Sequence, residues 1–202
     1  TVDDAQAIRK AAARSKRAVM IGGGFIAMEA ASVLAAQGVE TTMLFPEDHV
    51  GSKVFTPELS AFFRGYYEER GVRFESGQEV TRIDGDEPAM SVHASSGKRF
   101  DADLVVAGIG IEPDVSLFEG TPLRLDGGIV VNECLETNVP DVYAAGDVVR
   151  YRDLLFGKMR RADHWDNAVA QGTHLARQLT GERAPFIHVP YFFSDVFDLS
   201  YE

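Results

Sequence analysis

Apolar positions along this chain change period several times, and each change marks an element. In residues 3–14, Ala5, Ile8 and Ala12 share one stripe while Arg9 and Lys10 fall elsewhere, the spacing of a short amphipathic helix. Ala18-Val19-Met20-Ile21 is apolar without a break, too short for a helix, and runs into glycines, which suits a strand covered on both faces. Residues 25–37, rich in Ala, Met and Leu, read as a helix stopped by Gly38. Residues 40–45 give a second strand closed by Pro46. Thr56 as N-cap and Pro57 at the first helical position open a helix over 57–70 that ends at Gly71. Residues 72–75 form a third strand.

The rhythm then changes. Short strand-like runs at 79–84, 89–94 and 98–100, separated by the turn signals Asp84-Gly85-Asp86 and Ser95-Ser96-Gly97, predict a small antiparallel meander. Residues 103–108 form another buried strand and lead into the loop Gly110-Ile111-Glu112-Pro113. Further on come short apolar segments at 129–131 and 142–145 and a final helix over 165–179 that stops at Gly181. Strands alternating with helices predict the α/β class: a Rossmann-like parallel sheet with helices on both faces, the meander, and then part of a second α/β domain.

Composition narrows the function. With 202 residues, 45% apolar and 25% charged, the chain is ordinary globular material for one large domain or two small ones. A formal net charge of −11 argues against a nucleic-acid partner, since the short basic runs, 158–161 for example, are isolated. The single cysteine, Cys134, excludes an internal disulfide, a Cys-x-x-Cys redox pair and a cysteine-based metal site, and no metal centre is expected. No apolar run reaches the roughly 18 residues of a bilayer span, and no signal peptide opens the chain. The expectation is a soluble protein of a reducing compartment, the cytoplasm. Thr1 at the start and an aromatic stretch just before Glu202 suggest a piece of a longer protein.

The strongest chemical signal is Gly22-Gly23-Gly24-Phe25-Ile26-Ala27, a G-x-G-x-x-G/A loop between a strand and a helix. There Gly22 makes the tight turn, Gly24 lets backbone approach a diphosphate, and Ala27 keeps the helix close to the strand. The first-turn N–H groups, Phe25 and Ile26 among them, then face the anion. Glu47, just past the second strand, stands where a carboxylate accepts adenosine ribose hydroxyls, and no Arg lies nearby to welcome a 2′-phosphate, so NADH is expected over NADPH. Lys53 is a candidate for a phosphate or ribose. The second signal is Thr137-Asn138-Val139-Pro140-Asp141-Val142-Tyr143-Ala144-Ala145-Gly146-Asp147, in which Asp147 could accept a sugar hydroxyl. From the residues alone, Glu47 and Lys53 also read as surface charges, Phe25 as core, Glu29 as a solvated helix residue and His164 as a neighbour of a helix N-cap.

These two motifs resemble the pyridine nucleotide-disulfide oxidoreductase superfamily, and within it the branch of apoptosis-inducing factor, monodehydroascorbate reductases and ferredoxin reductases. The likeness extends to Leu44-Phe45-Pro46-Glu47, Gly108-Ile109-Gly110-Ile111-Glu112-Pro113, Arg161-Ala162-Asp163-His164-Trp165-Asp166-Asn167-Ala168, Phe193-Ser194-Asp195 and Tyr201-Glu202. It implies an NAD-binding domain over 1–112, the C-terminal portion of an FAD-binding domain over 113–187, and the start of an interface domain over 188–202. Family members carry two glycine-rich dinucleotide loops and this sequence has one, which is a further reason to expect a fragment.

The resemblance places Asp147 at the FAD ribityl or pyrophosphate region, and Asp163, His164 and Trp165 at the flavin where the last helix begins. It places Phe25 and Glu29 by the nicotinamide, with Gly110 giving the coenzyme backbone access. Phe193 would pack by the rings, and Glu202 would touch the adenine or ribose end. The implied activity is that of an FAD-dependent NADH oxidoreductase with no catalytic acid or base. Hydride passes from NADH to flavin, and electrons pass to a ferredoxin, a quinone or an ascorbyl radical. The alternative is a redox sensor or signalling protein like apoptosis-inducing factor. The resemblance also leaves room for a homodimer.

Overall fold

The computed structural model describes residues 1–86 and 88–202. The chain forms two compact units: Thr1–Gly110 with Ser194–Tyr201, and Ile111–Phe193 with Glu202.

The first unit opens with α1, Val2–Ala12, held by a capping box in which Thr1 and Asp4 satisfy each other's backbone N–H. There follow β1 (Arg17–Ile21), α2 (Phe25–Ala36), β2 (Glu40–Leu44), α3 (Pro57–Glu68), β3 (Val72–Glu75), the meander strands β4 (Val80–Asp84), β5 (Met90–Ala94) and β6 (Arg99–Ala102), and β7 (Leu104–Ala107). Strands β3, β2, β1 and β7 lie in that order in one parallel sheet, with Met20 opposite Met43 and Val106 in register.

Alternation along the strands sends Ala18, Met20, Met43, Val72, Phe74, Leu104 and Val106 to one face, where they pack with residues of all three helices. Val19 and Leu44 point the other way, onto Val92, Ala94 and Ala102 of the meander. The second face is therefore covered by the meander, where the sequence reading put a second helical layer. The meander's inward apolar residues bury the strands as effectively as a helix would. Each fully buried Met or Phe removes roughly 1.5–3 kcal/mol of apolar exposure from water.

The second unit holds β8 (Ile129–Val130), β9 (Val149–Asp153), β10 (Lys158–Arg160) and α4 (Trp165–Leu179). Strand β9 pairs parallel with β8 and antiparallel with β10. Val131, Leu135, Val149, Tyr151 and Phe186 form its core. Residues 142–145 do not become a strand: only Tyr143 bridges to Glu136. Residues 135–137 run beside them, with the Thr137 N–H on the Val142 carbonyl and the Ala144 N–H on the Leu135 carbonyl, but the pairing stops at this single bridge.

The closing segment is a hairpin of β11 (Ser194–Val196) and β12 (Leu199–Tyr201). Its attachment to the first unit has clear causes. Val196 is fully buried in that unit's core, and the Tyr201 ring lies 4.8 Å from that of Phe63. At the turn, Asp198 accepts hydrogen bonds from Tyr66 (2.6 Å) and Arg70 (3.0 Å) on α3 and just beyond it. The hairpin thus belongs with residues far away in sequence, whereas the sequence reading set 188–202 apart as one domain and drew the earlier boundary after 112.

Candidate functional site

Strand β1 delivers the chain to the glycine turn at the carboxyl end of the parallel sheet. Gly22 donates its N–H to the Leu44 carbonyl at 2.8 Å and takes φ +120°, a conformation other residues rarely adopt. Gly23 is pressed against Phe45, and its carbonyl accepts the Gly51 N–H at 2.8 Å. Gly24 is the N-cap of α2, has no side chain to cap with, and has open space where a Cβ would stand.

No acidic residue occupies the first turn of α2. Its first N–H groups therefore have no intrahelical acceptor and no acidic side chain within their own turn, which leaves partial positive charge there. A diphosphate fits this cradle in charge, in donors and in room. Ala27 is fully buried against Gly108, whose ideal Cβ would come within 3.0 Å of the Ala27 nitrogen, so small residues on both sides bring α2 down onto the sheet.

The hydrogen bond from Gly51 to Gly23 ties the loop after β2 to this turn. That loop carries Glu47, half-buried, with its carboxylate 3.9 Å from the exposed Lys53 ammonium. Phe25 is half-buried, edge-on to Phe55 at 5.8 Å, while Ile26 is exposed. Glu29 lies one helical turn beyond Phe25 on the same face and accepts the Ser194 hydroxyl at 2.6 Å. Gly110 is exposed beyond β7 with φ +117°. The sheet's carboxyl end thus carries the Gly22–Gly24 turn and Phe25, the loop with Glu47 and Lys53 that Gly51 ties to Gly23, and Gly110 just beyond β7.

In the second unit, Asp147 and Asp163 line one cavity of about 210 Å³ with Pro113 and Arg161. Asp163 receives a two-pronged pair from Arg161, at 3.1 and 2.7 Å, and Asp147 is exposed. Gly146, preceding Asp147, adopts φ +92° and donates its N–H to buried Gln171. His164 is the N-cap of α4, its ring accepting from the Asp166 N–H at 3.4 Å, and it stacks near Phe192 and Phe193 at 4.7 and 5.0 Å. Trp165 is 67% exposed. Glu202 lies beside Tyr191 and pushes that phenol's pKa up.

Two contributors, Gly108 and Ser194, were not read from the sequence as site residues. Gly108 was read only as the end of a buried strand, although a glycine there, opposite a dinucleotide turn, was a usable signal. Asp166 gathers His188 (2.6 Å) and the Tyr191 N–H (2.9 Å) at the start of α4, which draws its carboxyl below the usual range, first through the Tyr191 backbone and then through His188. Ser194 meets Glu29 only because the hairpin folds back. Neither pairing leaves a local pattern in the sequence.

Residues 1–172 match the family model for pyridine nucleotide-disulphide oxidoreductases. This chain belongs to that family. It is 39% identical over 189 residues to a peroxisomal monodehydroascorbate reductase of Arabidopsis thaliana, covering 92% of this chain and 39% of that protein. It is 34% identical over 210 residues to a monodehydroascorbate reductase of Pisum sativum, covering all of this chain and 48% of the relative. Among solved structures, a ferredoxin reductase from Rhodopseudomonas palustris superposes with TM-score 0.95 at 32% identity, over 99% of this chain and 50% of that one. Putidaredoxin reductase in covalent complex with putidaredoxin gives 0.92 at 32% identity, over 99% and 49%. The chain spans about half the length or less of these relatives. Among the described residues, no helix is long and apolar enough to cross a membrane.

Proposed function

We propose that this chain supplies the NADH-binding unit and part of the FAD-binding unit of an NADH-dependent flavoprotein oxidoreductase. The observation that carries the proposal is the uncapped, acid-free start of α2 behind the Gly22–Gly24 turn, at the carboxyl end of a parallel sheet. In this reading the backbone N–H groups there hold the coenzyme diphosphate, and Glu47 accepts the adenosine ribose hydroxyls while repelling a 2′-phosphate. Phe25 and Glu29 adjoin the nicotinamide, and Gly110 leaves backbone access for it.

In the second unit, Asp147 holds the ribityl or pyrophosphate region of FAD and Asp163 lies nearby. His164 and Trp165 open α4, whose positive end favours the negative charge that a reduced flavin carries. Phe193 packs by the rings, and Glu202 lies toward the adenine or ribose of the coenzyme. FAD, when bound, supplies the ring that accepts hydride and passes electrons on. The protein's own work is alignment and electrostatic tuning, which requires no acid–base side chain.

The relatives suggest the acceptor: a small redox protein, as for the reductase joined to putidaredoxin, or the monodehydroascorbate radical. Stopped-flow reduction of the full-length flavoprotein by NADH and by NADPH, followed by turnover with a panel of acceptors, tests the assignment. Faster reduction by NADH and rapid turnover with one of these acceptors is expected. Slow reduction with a long-lived charge-transfer band would favour the sensor role instead.

A further inference from the structure

Glu29 and Ser194 come from opposite ends of the first unit. Ser194, 3% exposed, donates its hydroxyl to Glu29 Oε1 at 2.6 Å, a short charge-assisted contact. The donor is held rigidly. Strand β11 pairs with β12, Val196 is sunk in the core, and Asp198 fastens the turn to Tyr66 and Arg70. Opposite Ser194 in the hairpin stands Tyr201, its hydroxyl buried. Burial pushes its pKa up, so it stays a neutral phenol and adds no charge against Glu29.

Glu29 itself remains half-buried, and its second oxygen, Oε2, carries no hydrogen bond among the described residues. A carboxylate has acceptor positions on both oxygens, so one side is anchored and the other left available. Glu29 lies on the same helical face as Phe25, one turn from the diphosphate cradle.

We propose that Ser194 is a positioning residue for the coenzyme: by holding Oε1, its hydroxyl fixes the Glu29 carboxylate so that Oε2 accepts the N–H of the nicotinamide carboxamide. A free Glu side chain would lose rotamer entropy on binding, and the anchored one has lost it on folding. This rests on the reading of the Gly22–Gly24 turn as the coenzyme site.

The test is calorimetric titration of the full-length, FAD-loaded protein with NAD⁺ and with ADP-ribose, the same dinucleotide without its nicotinamide ring. Ser194→Ala should weaken NAD⁺ binding roughly tenfold, the scale of a hydrogen bond to a charged group, and leave ADP-ribose within about twofold. Ser194→Thr, which keeps the hydroxyl, should restore most of the NAD⁺ affinity. Glu29→Gln should cost a similar factor, and Ser194→Ala added to it should cost nothing more, because the two act as one unit. Equal weakening of both ligands by Ser194→Ala, no weakening of either, or full additivity with Glu29→Gln would overturn the proposal. A wild-type protein that bound neither ligand would remove the coenzyme reading itself, and the role of Ser194 with it.

Discussion

A Cβ on Gly22 would stand 2.3 Å from the carbonyl oxygen of Gly108, and Gly22 holds φ at +120°. Both facts forbid a side chain there, and the obstacle is backbone fixed by the Gly108 N–H bond to Ile21 at 2.8 Å. Gly22→Ala should therefore destabilise the protein by about 2–6 kcal/mol, combining backbone strain with overpacking. Gly65, inside α3 with open space around it, is the internal contrast. Gly65→Ala should stabilise by about 0.5–1 kcal/mol. Denaturant unfolding of the two variants checks both signs.

Glu47 leaves the end of β2 on a loop tied to the glycine turn. Glu47→Ala should lower kcat/KM for NADH roughly tenfold, the scale of lost charge-assisted hydrogen bonds, while raising or sparing that for NADPH. An unchanged preference between the two coenzymes would remove Glu47 from the site.

Asp103 ties the entry of β1 to that of β7: Oδ2 accepts the Lys16 and Arg17 N–H groups at 2.9 Å each, and Oδ1 meets the Arg17 guanidinium at 3.0 Å. These partners, the Lys16 backbone first, hold its carboxyl below the usual range. A pKa lower in the folded than in the unfolded chain stabilises above the unfolded value, near 4, and that contribution drains away as pH falls through the folded value. Asp103→Asn should accordingly lower stability at pH 7 and flatten its decline below about pH 4. Stability measured by denaturant across pH 3–7 gives the comparison.

Asp166 at the start of α4 holds His188 and the Tyr191 N–H together. Asp166→Ala should speed hydrogen exchange at the Tyr191 amide at least about tenfold, since a bond to a charged acceptor is lost. Protection in β1 and β2 should be unchanged.

Much of the fold was readable because local rules and tertiary packing agree. The helix over 165–179 and the strand over 72–75 stand where periodicity put them, and Thr56 accepts the Leu59 N–H as an N-cap should. The failures share one cause, dependence on distant residues. Residues 142–145 have strand character, but their pairing with 135–137 is limited to one bridge, Tyr143 to Glu136, so no strand develops. The β11–β12 hairpin turns through Phe197 at φ +53° without a glycine or proline to announce it, and it is held by Tyr66 and Arg70. The glycine turn was legible because its chemistry lies in consecutive residues. The Ser194–Glu29 contact was not, because nothing local requires it.

The central claim is that the start of α2 cradles a diphosphate, and a crystal structure of the full-length flavoprotein with NADH tests it most directly. The account predicts diphosphate oxygens within about 3.2 Å of the first-turn amides that follow Gly24, with the adenosine ribose against Glu47. Coenzyme bound elsewhere, with the turn at 22–24 untouched, would contradict it.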